Sequence, residues 1–192
     1  MDKDTKLQIT KDKLLKSTFE LMEESDDPLA VTSRQIAAAA DVQASMINYC
    51  FGSRENLIYQ VFQTQYLSFL GTEEVQKILS SGMSPKDILK KLHFLVAQVL
   101  VENHKFTRAI TSFVLFKRDL TRQSFSYPYV YKHYRGSKSE SECMLIAYEM
   151  STMMQLLICR KDELKAGFGI DLDDKAQLKK YVDLRIDLLL ED

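Results

Sequence analysis

VTSRQIAAAADVQASMINYCFGSRENL, residues 31–57, reads as two short helices and the turn between them. Thr32 and Ser33 are candidate N-caps for a helix running through Ala40, because their side-chain oxygens can take the orphan amides of a first turn. Asp41-Val42-Gln43 forms the turn, and Ala44 to Tyr49 forms the second helix. Phe51-Gly52-Ser53 breaks it, with Gly52 able to turn left-handed and Ser53 placed to cap the next helix. This is a helix-turn-helix pattern. Ile36, Ala37 and Ala40 allow the two helices to approach closely, Val42 fills the corner of the turn, and Ile47 faces inward. Gln43, Ala44, Ser45, Met46 and Asn48 point outward, within reach of a major groove.

The flanking sequence is helical as well. Leu14, Leu15, Thr18, Phe19 and Met22 share one face of a helix expected from about Thr10 to Glu24, which Asp26-Asp27-Pro28 ends. A longer amphipathic helix is expected from Arg54 to about Leu70. Ser84-Pro85-Lys86-Asp87 starts another, with a serine cap, proline at the first position and an acid in the first turn. Further helices are expected over Phe106–Arg118, Ser139–Leu164 and Asp173–Leu190, with a weakly patterned aromatic region over Ser124–Gly136. Only six glycines and three prolines, and no long alternating apolar runs, make the predicted fold class all-α. The predicted organisation is a three-helix helix-turn-helix unit, residues 1–57, followed by a larger helical domain, residues 58–192.

Composition narrows the function classes. Hydrophobic residues at 45% and charged ones at 28% exclude a disordered chain. Three cysteines are too few for a disulfide framework, which fits a cytoplasmic protein with reduced thiols. The N-terminus lacks the apolar run of a signal peptide, and Leu92–Val101 is too short to span a bilayer, so no membrane partner is expected. The three histidines and three cysteines show no paired metal-ligand spacing, and no glycine loop or nucleophile arrangement is legible. No metal, cofactor or catalytic activity is therefore expected.

With those residues in view, the segment resembles the DNA-binding domain of the TetR (tetracycline-repressor) family of one-component regulators. The resemblance rests on Thr32, Arg34, Ile36-Ala37, Ala39-Ala40, Val42, Tyr49 and the block Phe51-Gly52-Ser53-Arg54-Glu55-x-Leu57, with Leu14-Leu15, Phe19 and Met22 matching the preceding helix. It covers about residues 9 to 62; the remainder is compatible in length and helical character. The resemblance implies a homodimer on a palindromic double-stranded DNA operator, with phosphates clamped by Thr32, Arg34, Tyr49, Ser53 and Arg54. It also implies that the C-terminal helices bind a small effector and dimerise, most simply as a repressor released by that effector.

The chain departs from the family pattern at Ala44-Ser45, Asn48 and Cys50, which leaves the second short helix without charge. Base readout then falls to Gln43, Ser45 and Asn48, with Ala44 and Met46 contacting thymine methyls. Amide side chains pair bidentately with adenine, so an A·T-leaning half-site is expected. For the effector, Phe94, Phe106, Phe113, Phe116, Tyr127, Met150 and Met154 offer an apolar lining suited to an apolar or aromatic ligand, while Arg108, Arg118 or His104 could orient a polar end. For the dimer, one stripe is Met144, Ala147, Met150, Ser151, Met154 and Leu157; the other is Leu178, Tyr181, Val182, Arg185 and Leu189.

Two other readings remain open: a helical protein-interaction module that has lost sequence-specific DNA binding, and a redox-sensing regulator acting through Cys50. Charge bears on the first. The whole chain carries a formal net charge of −1, which excludes a polycation that coats nucleic acid. Five lysines and three aspartates give residues 1–16 a net +2, residues 17–31 carry five acids and no base, and residues 32–57 are neutral. The sum, −3, is segregated: the lysines lie at the start of the first helix and the acids at its far end.

Overall fold

Asp2 accepts the amide of Lys3 at 2.7 Å and starts the first helix seven residues earlier than the apolar pattern suggests, giving α1 (Lys3–Glu24). The added turns are polar and largely solvent-exposed, so no periodicity marks them. The computed structural model describes residues 2–66, 68–120 and 124–191. A short 3-10 turn over Pro28–Ala30 leads into α2 (Ser33–Ala39), α3 (Ser45–Phe51) and α4 (Arg54–Tyr66). These four helices pack on one another around Leu14 and Met22 of α1, Ile36 and Ala37 of α2, Ile47 and Phe51 of α3, and Leu57 and Ile58 of α4, all buried. Each large apolar side chain removed from water here contributes roughly 1.5–3 kcal/mol.

The expected long helix from Arg54 stops at Tyr66, and Leu67 lies outside the described residues. A 3-10 turn over Ser68–Gly71 and a helix not foreseen in the sequence, α5 (Glu73–Leu79), come next. Then come α6 (Pro85–Glu102), capped by Ser84, α7 (His104–Phe116), α8 (Tyr127–Tyr134), α9 (Glu140–Cys159), α10 (Lys161–Phe168) and α11 (Lys175–Leu189). The predicted single helix over Ser139–Leu164 is thus two helices. The break falls at Arg160, whose amide lies 3.2 Å from both the Leu156 and Leu157 carbonyls, a tightened last turn. Among the described residues the chain is all-α, with no strand.

In the larger part, α9 packs against α6, α7, α8 and α11, and α11 lies along α6. Asp187 of α11 accepts from Lys90 at 2.7 Å and Lys86 at 3.3 Å, pinning those two helices together. α4 joins the two parts. The helix packs on α1 and α3 and also runs against α7, so the expected boundary after residue 57 falls inside a helix that serves both sides. Phe19, Phe62, Tyr66 and Phe106 form an aromatic joint where α1, α4 and α7 meet, with Tyr66–Phe106 centroids 5.2 Å apart and Phe62–Tyr66 5.3 Å. The Tyr66 hydroxyl donates to the Glu23 carboxylate, and Lys105 donates to the Glu23 carbonyl at 2.9 Å, covering the end of α1. No described helix is long and apolar enough to cross a membrane.

Candidate nucleic-acid interface and adjoining cavity

Thr32 begins α2 with a reciprocal cap: its hydroxyl oxygen accepts the Gln35 amide at 3.3 Å, and Gln35 Oε1 accepts the Thr32 amide at 2.8 Å. α2 ends in two nested bonds, Asp41 amide to Ala38 carbonyl at 3.2 Å and Val42 amide to Ala37 carbonyl at 3.0 Å. That closure requires a left-handed residue, and Asp41 supplies it at φ 54°. Aspartate tolerates this conformation better than most side chains but less well than glycine. Asp41→Gly is therefore expected to raise stability by about 0.5–1 kcal/mol in urea unfolding, without altering the exposed face of α3. A destabilised variant would contradict this account of the turn.

Gln43, Ala44, Ser45, Asn48 and Tyr49 are exposed along α3 and the residues leading into it, and Tyr49 retains 64% of its surface. Arg34 of α2 is exposed as well. Met46 is a partial correction: it is half-buried against the core, so only part of its side chain faces out. Burial raises the Cys50 thiol pKa and the charge of Lys11 on α1 partly offsets this, so a cation of the first helix lies near the end of α3. The lysine-rich start of α1 is legible in the sequence; which of those lysines reaches α3 is not.

Three residues expected to contact phosphate are also engaged within the fold. Arg54 turns back into the fold: Nε donates to the Val31 carbonyl at 2.7 Å and Nη2 to the Leu29 carbonyl at 2.8 Å. Its side chain is only 20% exposed. It ties the start of α4 to the stretch of chain entering α2, and a fork of planar donors suits two carbonyls at once. The Thr32 hydroxyl is committed to its cap and donates to Gln35 Oε1 at 2.8 Å. The Ser53 oxygen accepts the Asn56 amide at 3.1 Å, capping α4 while its own proton stays available. Thr32, Arg34 and Tyr49 are the exposed members of that set, and of these Arg34 and Tyr49 have no side-chain role in a cap. Burial pushes the Cys50 thiol pKa up, more than Lys11 lowers it, which disfavours the thiolate that redox chemistry needs.

A cavity of about 350 Å³ lies among α4, α6, α7 and α9, walled by Tyr59, Phe62, Val96, Leu100, Ile110, Val114, Phe125 and Met154, with Gln63, Arg118, Ser124, Ser151 and Gln155. Gln155 is held by donating to the Thr107 carbonyl at 3.2 Å and the Thr111 hydroxyl at 3.0 Å. Of the seven residues expected to line an effector site, Met154 is the one on the wall of this cavity. Phe106 is buried in the aromatic joint, Phe113 stacks on Tyr59 at 5.1 Å, and Phe116 is 82% exposed at the end of α7. Phe94 and Tyr127 are half-buried elsewhere in the core, and Met150 borders a narrow gap beside His93. The signal that could have found the site was polar: Ser151 and Gln155 sit one helical turn apart in the apolar run of α9. Among the three polar candidates, Arg118 is on the wall; Arg108 faces solvent, and His104 bonds the Cys159 carbonyl at 3.2 Å.

His93 is fully buried behind Phe125, with Nε2 2.7 Å from the Ser126 hydroxyl and its ring 5.1 Å from Phe125. Burial pushes its pKa down to about 4, so the ring is neutral at pH 7.

The expected dimer stripes are largely the inward faces of their helices. Ala147, Met150, Met154, Leu178 and Val182 are buried in the chain's own core, and Ser151, Leu157, Tyr181, Arg185 and Leu189 are half-buried. Met144 is exposed, and with it Leu145 and Met153 of α9 and Leu184 and Leu188 of α11. The sequence of α9 is apolar around most of its circumference, so periodicity could not separate the two faces. Among the described residues no group of three or more histidine, cysteine or acidic side chains could hold a metal ion. Comparison of the chain with protein-family models and with curated proteins gives no match in either.

Proposed function

We propose that the chain is a DNA-binding transcriptional regulator of the TetR type, acting as a homodimer and released from a palindromic operator by a small effector. The observation that carries this reading is the pairing of an exposed, polar α3 face with a ligand-sized cavity that shares α4 with it. Gln43, Ser45 and Asn48 supply base-edge donors and acceptors, Arg34 and Tyr49 supply phosphate contacts, and Lys11 adds positive charge nearby. The exposed apolar residues of α9 and α11 supply a face for a second copy. A two-fold dimer would set two α3 helices roughly 34 Å apart, or a near multiple of it.

Coupling runs through α4. Tyr59, Phe62 and Gln63 form part of the cavity wall, while Leu57 packs in the helix-turn-helix core and Arg54 holds the entry to α2. Tyr59 and Arg118 also line an open groove that reaches Phe51, Gly52, Ser53 and Asn56, and Lys117 lies 3.9 Å from the Glu55 carboxylate. An effector that prefers one position of α4 shifts the population toward one arrangement of the recognition helices.

Footprinting on the DNA flanking its own gene tests this. Protection is expected at low salt and is expected to weaken as salt rises, with a shallow slope because few cations contact phosphate. Arg34→Ala is expected to weaken binding evenly across sequences. Absence of protection at low salt would sink the regulator reading and favour the second one, a helical protein-interaction module, for which the absence of any charged side chain on α3 speaks.

A further inference from the structure

We infer that the cavity takes an amphipathic monocarboxylate, with Arg118 as the anchor for its carboxylate. This rests on reading the cavity as an effector site and names the chemical class of the effector. Its walls are apolar on α4, α6, α7 and α9, and its polar groups other than Arg118 are neutral. No carboxylate is among the residues that wall the cavity, while Asp119, the next residue, lines the open groove that Arg118 also borders. Its neighbour Lys117 is directed to Glu55. A guanidinium is charged at every working pH, and its planar fork matches a carboxylate through two parallel bonds. One such group balances one negative charge; a phosphate ester would bring nearly two. Arg118 lies just past the end of α7, half-buried between exposed Phe116 and Leu120, so the anionic end of a ligand would lie near solvent and its apolar body against Phe62, Leu100, Ile110 and Met154. The volume, about 350 Å³, is near the lower end of ligand pockets and suits a small molecule.

Titration calorimetry of the full chain with octanoate, octanol and octylamine tests the assignment. Octanoate is expected to bind at least tenfold more tightly than octanol, and octylamine most weakly. Arg118→Gln is expected to erase the preference for octanoate while leaving octanol binding unchanged, and Arg118→Lys to keep part of it; circular dichroism confirms that each variant is folded. Equal binding of octanoate and octanol, or a preference that survives in Arg118→Gln, overturns the carboxylate assignment and leaves the cavity as a site for neutral ligands. No binding of any of the three overturns both the assignment and the effector-site reading.

Discussion

Arg54→Ala is expected to lower stability by about 2–4 kcal/mol, since charged hydrogen bonds contribute roughly 1.5–3 kcal/mol each and two carbonyls lose their donor. Those carbonyls, Leu29 and Val31, lie just before the Thr32 cap, so the entry to α2 loosens together with the start of α4. Arg54→Lys is expected to recover no more than about half of the loss, because an ammonium replaces a fork that spans both acceptors. Urea unfolding of the three proteins measures the effect. The same series separates the structural role from a phosphate clamp. A clamp would weaken DNA binding in Arg54→Ala with little change in stability; the hydrogen bonds require the stability change to come first.

The second large effect is with pH. The unfolded chain binds a proton at His93 near pH 6.5, whereas the folded chain holds that ring neutral down to about 4. As pH falls through this window the unfolded state takes up protons that the native state does not, so stability falls with it. The loss is about 2.5 kcal/mol by pH 4.5, and it levels off below pH 4, where the native ring also protonates. Glu163, Asp171 and Asp187 have depressed pKa values through their lysine or arginine partners, so their losses set in as pH falls into the ordinary carboxylate range, at the lower edge of this window. The interval from pH 6.5 to 4.5 therefore reports His93. His93→Gln, which keeps a hydrogen-bonding group toward Ser126, is expected to flatten the stability profile there while starting about 1 kcal/mol lower at pH 7. A profile as steep as that of the unsubstituted chain would show that the proton uptake lies elsewhere.

What could be read from the sequence depended on how local its cause was. The caps at Thr32, Ser53 and Ser84 were legible because each is a side chain bonding an amide three residues on. The turn at Asp41 is legible because its closing backbone bonds are local as well, and the inward and outward residues of α3 reflect a short helix with one buried face. The structural role of Arg54 is not legible because its partners lie 23 and 25 residues away in sequence, and no spacing rule encodes that. The lining of the cavity is not legible because aromatic content marks burial and gives no indication of which surface is left unfilled. Phe106 closes a joint, while Tyr59 and Phe62, in a helix legible in the sequence only as amphipathic, face the open space. The α9 break had no glycine or proline to announce it, only the packing of successive helices.

Selection of the full chain against a random duplex library at low salt bears hardest on the proposal that α2 and α3 read DNA as a two-fold pair. Enrichment of a palindrome is expected, with A·T-leaning half-sites about one helical turn apart, or a near multiple. Asn48→Ala is expected to relax one position of each half-site, by roughly 1–3 kcal/mol of discrimination. Recovery of no enriched sequence at any salt concentration would contradict the proposal.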